Sequence, residues 1–116
     1  MGIRRHQITV TLTGASGSEK STQPVNGLLL AAHIDYADIA AATTDVTLAV
    51  LDPTLTLLTV TNSVTDGWFY PRVLMGDTAG VNLTAVYDAM AVHGYVEVSV
   101  VQADAGTVTV TLLVEE

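Results

Sequence analysis

The sequence predicts an all-β protein built as an antiparallel β-sandwich, and three observations carry that prediction. Valine and threonine supply 17 residues each, and β-branched side chains lose χ1 freedom in a helix but pack well on a pleated surface. In Val96-Glu97-Val98-Ser99-Val100 and in Val108-Thr109-Val110-Thr111-Leu112 the apolar residues fall on alternate positions, so each segment has one face for a core and one for solvent or a partner. Runs of this kind recur along the chain, bounded by Gly, Pro, Asn, Asp or Ser, and without helices they must bury their apolar faces on each other.

Taken in order, the expected strands are Arg5 to Thr13, Gly27 to Tyr36, Thr43 to Leu51, Thr54 to Thr61, Trp68 to Met75, Gly94 to Ala103 and Thr107 to Val114. Seven strands suit two facing sheets, a jelly-roll or related sandwich. Hairpin turns are expected at Leu51-Asp52-Pro53-Thr54, at Thr65-Asp66-Gly67 and at Ala103-Asp104-Ala105-Gly106, where Asp and Gly tolerate tight backbone angles. The last of these joins the two best-patterned strands, with Val96, Val98 and Val100 facing the core beside Val108, Val110 and Leu112 and the intervening residues mostly exposed. Ala15 to Gln23 is small and polar and reads as an exposed loop. Ile34 to Ala42 and Leu83 to Val92 read as connections, since their Ala, Asp and Met suit a short helical turn as well as a loop.

Size and charge narrow the function. A chain of 116 residues fits a single domain spanning 1–116, with Arg4 and Arg5 on a short basic N-terminal arm over residues 1–6. With no cysteine it has neither a disulfide framework nor a thiolate zinc site. Four Lys and Arg against 12 Asp and Glu give a formal charge of -8, which repels phosphates and anionic lipid, so no nucleic acid and no membrane is expected as partner. The longest apolar run, Leu28 to Ala32, is far shorter than a membrane span. Ile8-Thr9-Val10-Thr11-Leu12-Thr13 alternates where a signal peptide would be uniformly apolar.

The motifs that could carry chemistry are incomplete. Gly14-Ala15-Ser16-Gly17-Ser18-Glu19-Lys20-Ser21 approaches a phosphate-binding loop, but Glu19 stands at the glycine position and Pro24 and Asn26-Gly27 interrupt any following helix. Thr13-Gly14-Ala15-Ser16-Gly17 approaches a dinucleotide turn, with Lys20 at the third glycine position. His33 and Asp35 share a strand face, with Asp38 and Asp45 nearby in sequence. A weak metal site is one reading and a half-exposed strand face the plainer one. His6, His33 and His93 lie in separate segments and no G-x-S-x-G elbow is present. No catalytic residue, cofactor or metal is expected, and the chain does not read as an enzyme.

The densest segment is Asp66-Gly67-Trp68-Phe69-Tyr70-Pro71-Arg72, which holds the single Trp and the single Phe. As a strand it sets Trp68 and Tyr70 on one face and Phe69 on the other, and Pro71 withholds a ladder donor as on an edge strand. One side can then anchor in the core while the other meets a partner, although all three aromatics could equally fill a core poor in large residues. Arg4, Arg5, Trp68, Tyr70 and Arg72 are the interface candidates.

From Thr43-Thr44-Asp45-Val46-Thr47-Leu48, through Leu57-Leu58-Thr59-Val60-Thr61-Asn62 and Thr65-Asp66-Gly67-Trp68-Phe69-Tyr70-Pro71-Arg72, to Asp77-Thr78-Ala79-Gly80, the sequence resembles head decoration, or cement, proteins of tailed bacteriophages and prophages. The likeness extends more weakly through His93-Gly94-Tyr95-Val96-Glu97-Val98-Ser99-Val100 to the last strand. The resemblance implies a jelly-roll subunit, a homodimer or homotrimer, that sits on the outside of the virion and clamps neighbouring capsomers of the major capsid protein. It also implies synthesis in the bacterial host cytoplasm and no catalytic residues. The alternative is a carbohydrate-binding or fibre-like β-sandwich module, in which Trp68 and Tyr70 would stack on sugar rings.

Overall fold

Alternation of inward apolar and outward polar residues sets the architecture. In β1 (Ile3–Leu12) it buries His6, Ile8, Val10 and Leu12 and turns Arg5, Gln7, Thr9 and Thr11 outward. The computed structural model describes residues 2–37, 43–51, 54–76 and 78–116, and among them there is no helix. After β1 come β2 (Gly17–Lys20), β3 (Val25–Asp35), β4 (Asp45–Val50), β5 (Leu55–Val60), β6 (Gly67–Phe69), β7 (Arg72–Gly76), β8 (Asn82–Gly94), β9 (Val96–Val101) and β10 (Gly106–Glu115).

All strand pairs are antiparallel. One sheet runs β1-β10-β3-β8-β7, with β6 also on β3, and the other runs β2-β9-β4-β5. Partners mirror each other about the middle of the chain: Ile3 with Glu115, Gly17 with Val100, Val25 with Gly94, Val46 with Val60. The polypeptide is in effect one long hairpin rolled over on itself, which gives the jelly-roll strand order. β6, β7 and the outer part of β8 are additions to that plan.

The core lies between the sheets. Val108, Val110, Leu112 and Val114 of β10 and Leu29 and Ile34 of β3 meet Val96, Val98 and Val100 of β9 and Val46 and Leu48 of β4, all fully buried. Burying each such side chain contributes roughly 1.5–3 kcal/mol. Gly27, at φ +144, is required by closeness: a Cβ there would stand 2.1 Å from the Glu115 carbonyl oxygen, where β3 meets the bulge in its pairing with β10.

Several expectations need correction. The 103–106 connection is not a hairpin: β9 lies between β2 and β4 in one sheet and β10 between β1 and β3 in the other. Their valines do face one core, from opposite sides, because period two fixes the inward face but not the pairing partner. The residues between them are half-buried, not exposed, and Thr111 is buried, since each strand is central in its sheet. Thr65-Asp66-Gly67 likewise links different sheets, and Asp66 Oδ1 accepts the Tyr36 backbone N–H at 2.8 Å.

Within the expected 15–23 loop, β2 pairs its backbone with β9, which needs no apolar pattern at a sheet edge. The expected 83–92 connection lies within β8. The Trp68 to Met75 strand divides into β6 and β7 around Tyr70 and Pro71, as the missing proline donor requires. Ile3 to His6 belong to β1 and pair with β10, so the basic residues lie on a sheet. β4 and β5 form a hairpin, with Asp52 and Pro53 of its expected turn outside the described residues.

Candidate functional site

The outer face of the larger sheet carries a polar row. Registers align Gln7 of β1 with Thr111 of β10, Thr111 with His33 of β3, and His33 with Trp68 of β6. Because neighbours such as Ile8, Leu112 and Ile34 point into the core, these four side chains point away from it. Two residues further along, Thr9, Thr109 and Asp35 form a second row. An open cleft of about 300 Å³ lies over the rows, with Arg5 and Asp35 among its lining residues.

Hydrogen bonding inside the cleft is sparse. Gln7 Nε2 donates to Thr111 Oγ1 at 3.4 Å, and the Thr9 and Thr109 hydroxyls approach to 3.5 Å. Asp35 Oδ1 accepts the Ala37 N–H at 2.9 Å, and among the described residues its other oxygen has no hydrogen-bond partner. Trp68 leans on His33 with ring centroids 4.9 Å apart and planes tilted by 57°. Among the described residues, the Arg5 guanidinium, the His33 ring and the Trp68 indole N–H have no hydrogen-bond partner.

The five interface candidates separate. Arg5 and Trp68 come together around the cleft. Arg4, one position off Arg5, donates from Nη2 to Gln23 Oε1 at 2.9 Å and pairs with Glu116 at 3.7 Å. Trp68 and Tyr70 are 48% and 63% exposed, so neither is core, while Phe69, on the opposite face as the alternation predicts, packs against the core. Arg72 Nη1 donates to the Leu30 and Pro71 carbonyls at 3.1 and 2.7 Å.

His33 and Asp35 share a face, but Asp45 lies on β4 in the other sheet, its Oδ1 accepting the Asn62 N–H at 3.0 Å. Asp38 is outside the described residues. Among the described residues no group of three or more His, Asp or Glu comes together as metal ligands would.

A second feature was missed by sequence reasoning. β8 joins β3 only from Met90 to Gly94, and from Asn82 to Ala89 its partner is β7. The β7/β8 pair therefore forms a two-stranded ribbon, with Val73, Met75, Val81, Leu83, Val86 and Tyr87 exposed along it. Its pairing shifts register between Leu74 and Gly76, opposite the stretch where Ala85 takes φ +57, which marks a bulge that increases local twist. The signal in sequence was charge: between Arg72 and Asp88 only Asp77 is ionisable as an acid or base at neutral pH.

No family model and no curated protein matches the chain. A solved structure of FLHE is similar over 100% of both chains at 14% identity and a TM-score of 0.45, a likeness too slight to bear on function.

Proposed function

We propose that the chain is a structural docking subunit that decorates the outside of a tailed-phage head, bridging neighbouring copies of the major capsid protein. The observation that carries this reading is the β7/β8 ribbon. A two-stranded ribbon is marginally stable alone in water, and this one exposes apolar side chains from Val73 to Tyr87 on a chain of net charge -8. A partner meets the least charge repulsion there and gains the most by covering it. The rolled jelly-roll body supplies a rigid base, and the sequence resemblance supplies the target.

In this reading the subunit acts on the virion surface after synthesis in the host cytoplasm, as a dimer or trimer whose symmetry lets it touch two capsomers at once. Once one contact forms, the second forms at high effective concentration, so modest affinity per contact suffices. Its product is a shell that resists heat and internal pressure.

Co-sedimentation with purified, expanded heads of the encoding phage tests this. The wild-type protein is expected to pellet with heads to a saturating occupancy and to raise their disruption temperature, while Tyr87→Asp, at a site 61% exposed, stays in the supernatant. Wild-type protein that remains soluble in the presence of heads would sink the proposal.

A further inference from the structure

The geometry points to a second binding surface, independent of the ribbon: the cleft across β1, β10, β3 and β6 takes the ring of a neutral saccharide. Its volume of about 300 Å³ is at the small end of ligand pockets, which run from roughly 300 to 1,000 Å³, and its open mouth admits a ring carried at the end of a longer chain.

The lining selects the ligand class. Arg5 and Asp35 bring one charge of each sign, so an anion meets Asp35 and a cation meets Arg5, whereas a neutral polyol suits both. A guanidinium donates only, a carboxylate accepts only, and the Gln7 amide and Thr109 and Thr111 hydroxyls do both. That mixture matches vicinal hydroxyls, each of which donates and accepts. The half-exposed indole of Trp68, braced by His33 at 4.9 Å, forms an apolar wall for the C–H face of a sugar ring. Arg5, His33 and the Trp68 N–H make no hydrogen bond within the chain's described residues, so a ligand would engage these three groups without displacing an internal partner, and the Gln7–Thr111 and Thr9–Thr109 contacts it meets are long, at 3.4 and 3.5 Å. The site also sits on four ordered strands, with three registers fixing its side chains.

Trp68 is the chain's single tryptophan, so its fluorescence reports on the cleft directly. The full chain would be titrated with glucose, galactose, mannose, N-acetylglucosamine and their short oligosaccharides, with glucuronic acid and glucosamine as charged controls. At least one neutral sugar is expected to change the emission saturably, and Gln7→Ala and Asp35→Asn are each expected to weaken that binding about tenfold while circular dichroism stays unchanged. The inference is overturned if no neutral sugar changes the emission, if only a charged sugar does, or if both variants bind as tightly as wild type. Head binding is a separate assay on separate residues, so failure here leaves the docking proposal standing, and the reverse holds too.

Discussion

Tyr36, 1% exposed just beyond the end of β3, is the largest fully buried side chain. Its backbone is held by Asp66, but its hydroxyl has no hydrogen bond of good geometry among the described residues, although Ser63 stands near it. Burial pushes the phenol above its ordinary range, the Ser63 hydroxyl opposes the shift, and the Asp66 carboxylate adds to it. A raised folded-state pKa means that the associated stability is fully present below the unfolded value, about 10, and is lost as pH climbs through the folded value. Tyr36→Phe should therefore leave stability near neutral pH within about 1 kcal/mol of wild type and flatten the alkaline decline. Thermal melts from neutral pH into the alkaline range check both statements; a loss above roughly 2 kcal/mol at neutral pH would mean that the hydroxyl is well bonded in the folded protein.

At the scale of elements, the root of the ribbon is the informative place. One edge of β3 is divided between two strands, β8 from Val25 to Leu29 and β6 from Ala32 to Ile34. The Leu30 carbonyl falls in the gap, and the Arg72 guanidinium takes it, tying the start of β7 to β3. Arg72 thus positions the ribbon. Arg72→Ala is expected to lower global stability by only about 1 kcal/mol, the worth of one partly solvated hydrogen bond. It should speed amide exchange in Val73–Gly76 while β1 and β10 keep their protection. Equal acceleration in all strands would contradict this positioning role. The same junction shows why sequence reasoning stopped short. That Trp68 and Phe69 face opposite ways followed from period two, but which of them meets the core did not, because alternation alone does not say which side of β6 is covered. The outer part of β8 faces solvent on both sides, so no alternation was selected there, and its Ala and Asp residues looked like a connection.

For the whole molecule, the inward set of valines and the two-layer architecture were legible because burial imposes a period on each strand separately. Which strands neighbour one another was not, since pairing follows from how the long hairpin rolls. Val98 and Val110 read alike in sequence yet stand in opposite sheets. Arg5, His33 and Trp68 were visible one by one and Gln7 was not, and only the order β1-β10-β3, with β6 on β3, gathers all four into a cleft. The charge of -8 spread over the chain and its scarcity along the ribbon likewise become one statement only when β7 and β8 pair. Docking through that ribbon is the central claim, and amide hydrogen exchange across Asn82–Ala89, compared between free protein and protein bound to expanded heads, tests it most directly. Exchange there is expected to be fast in the free protein and to slow by about tenfold or more on binding, as local opening is suppressed; head-bound protein whose Asn82–Ala89 amides exchange as fast as in the free protein would contradict it.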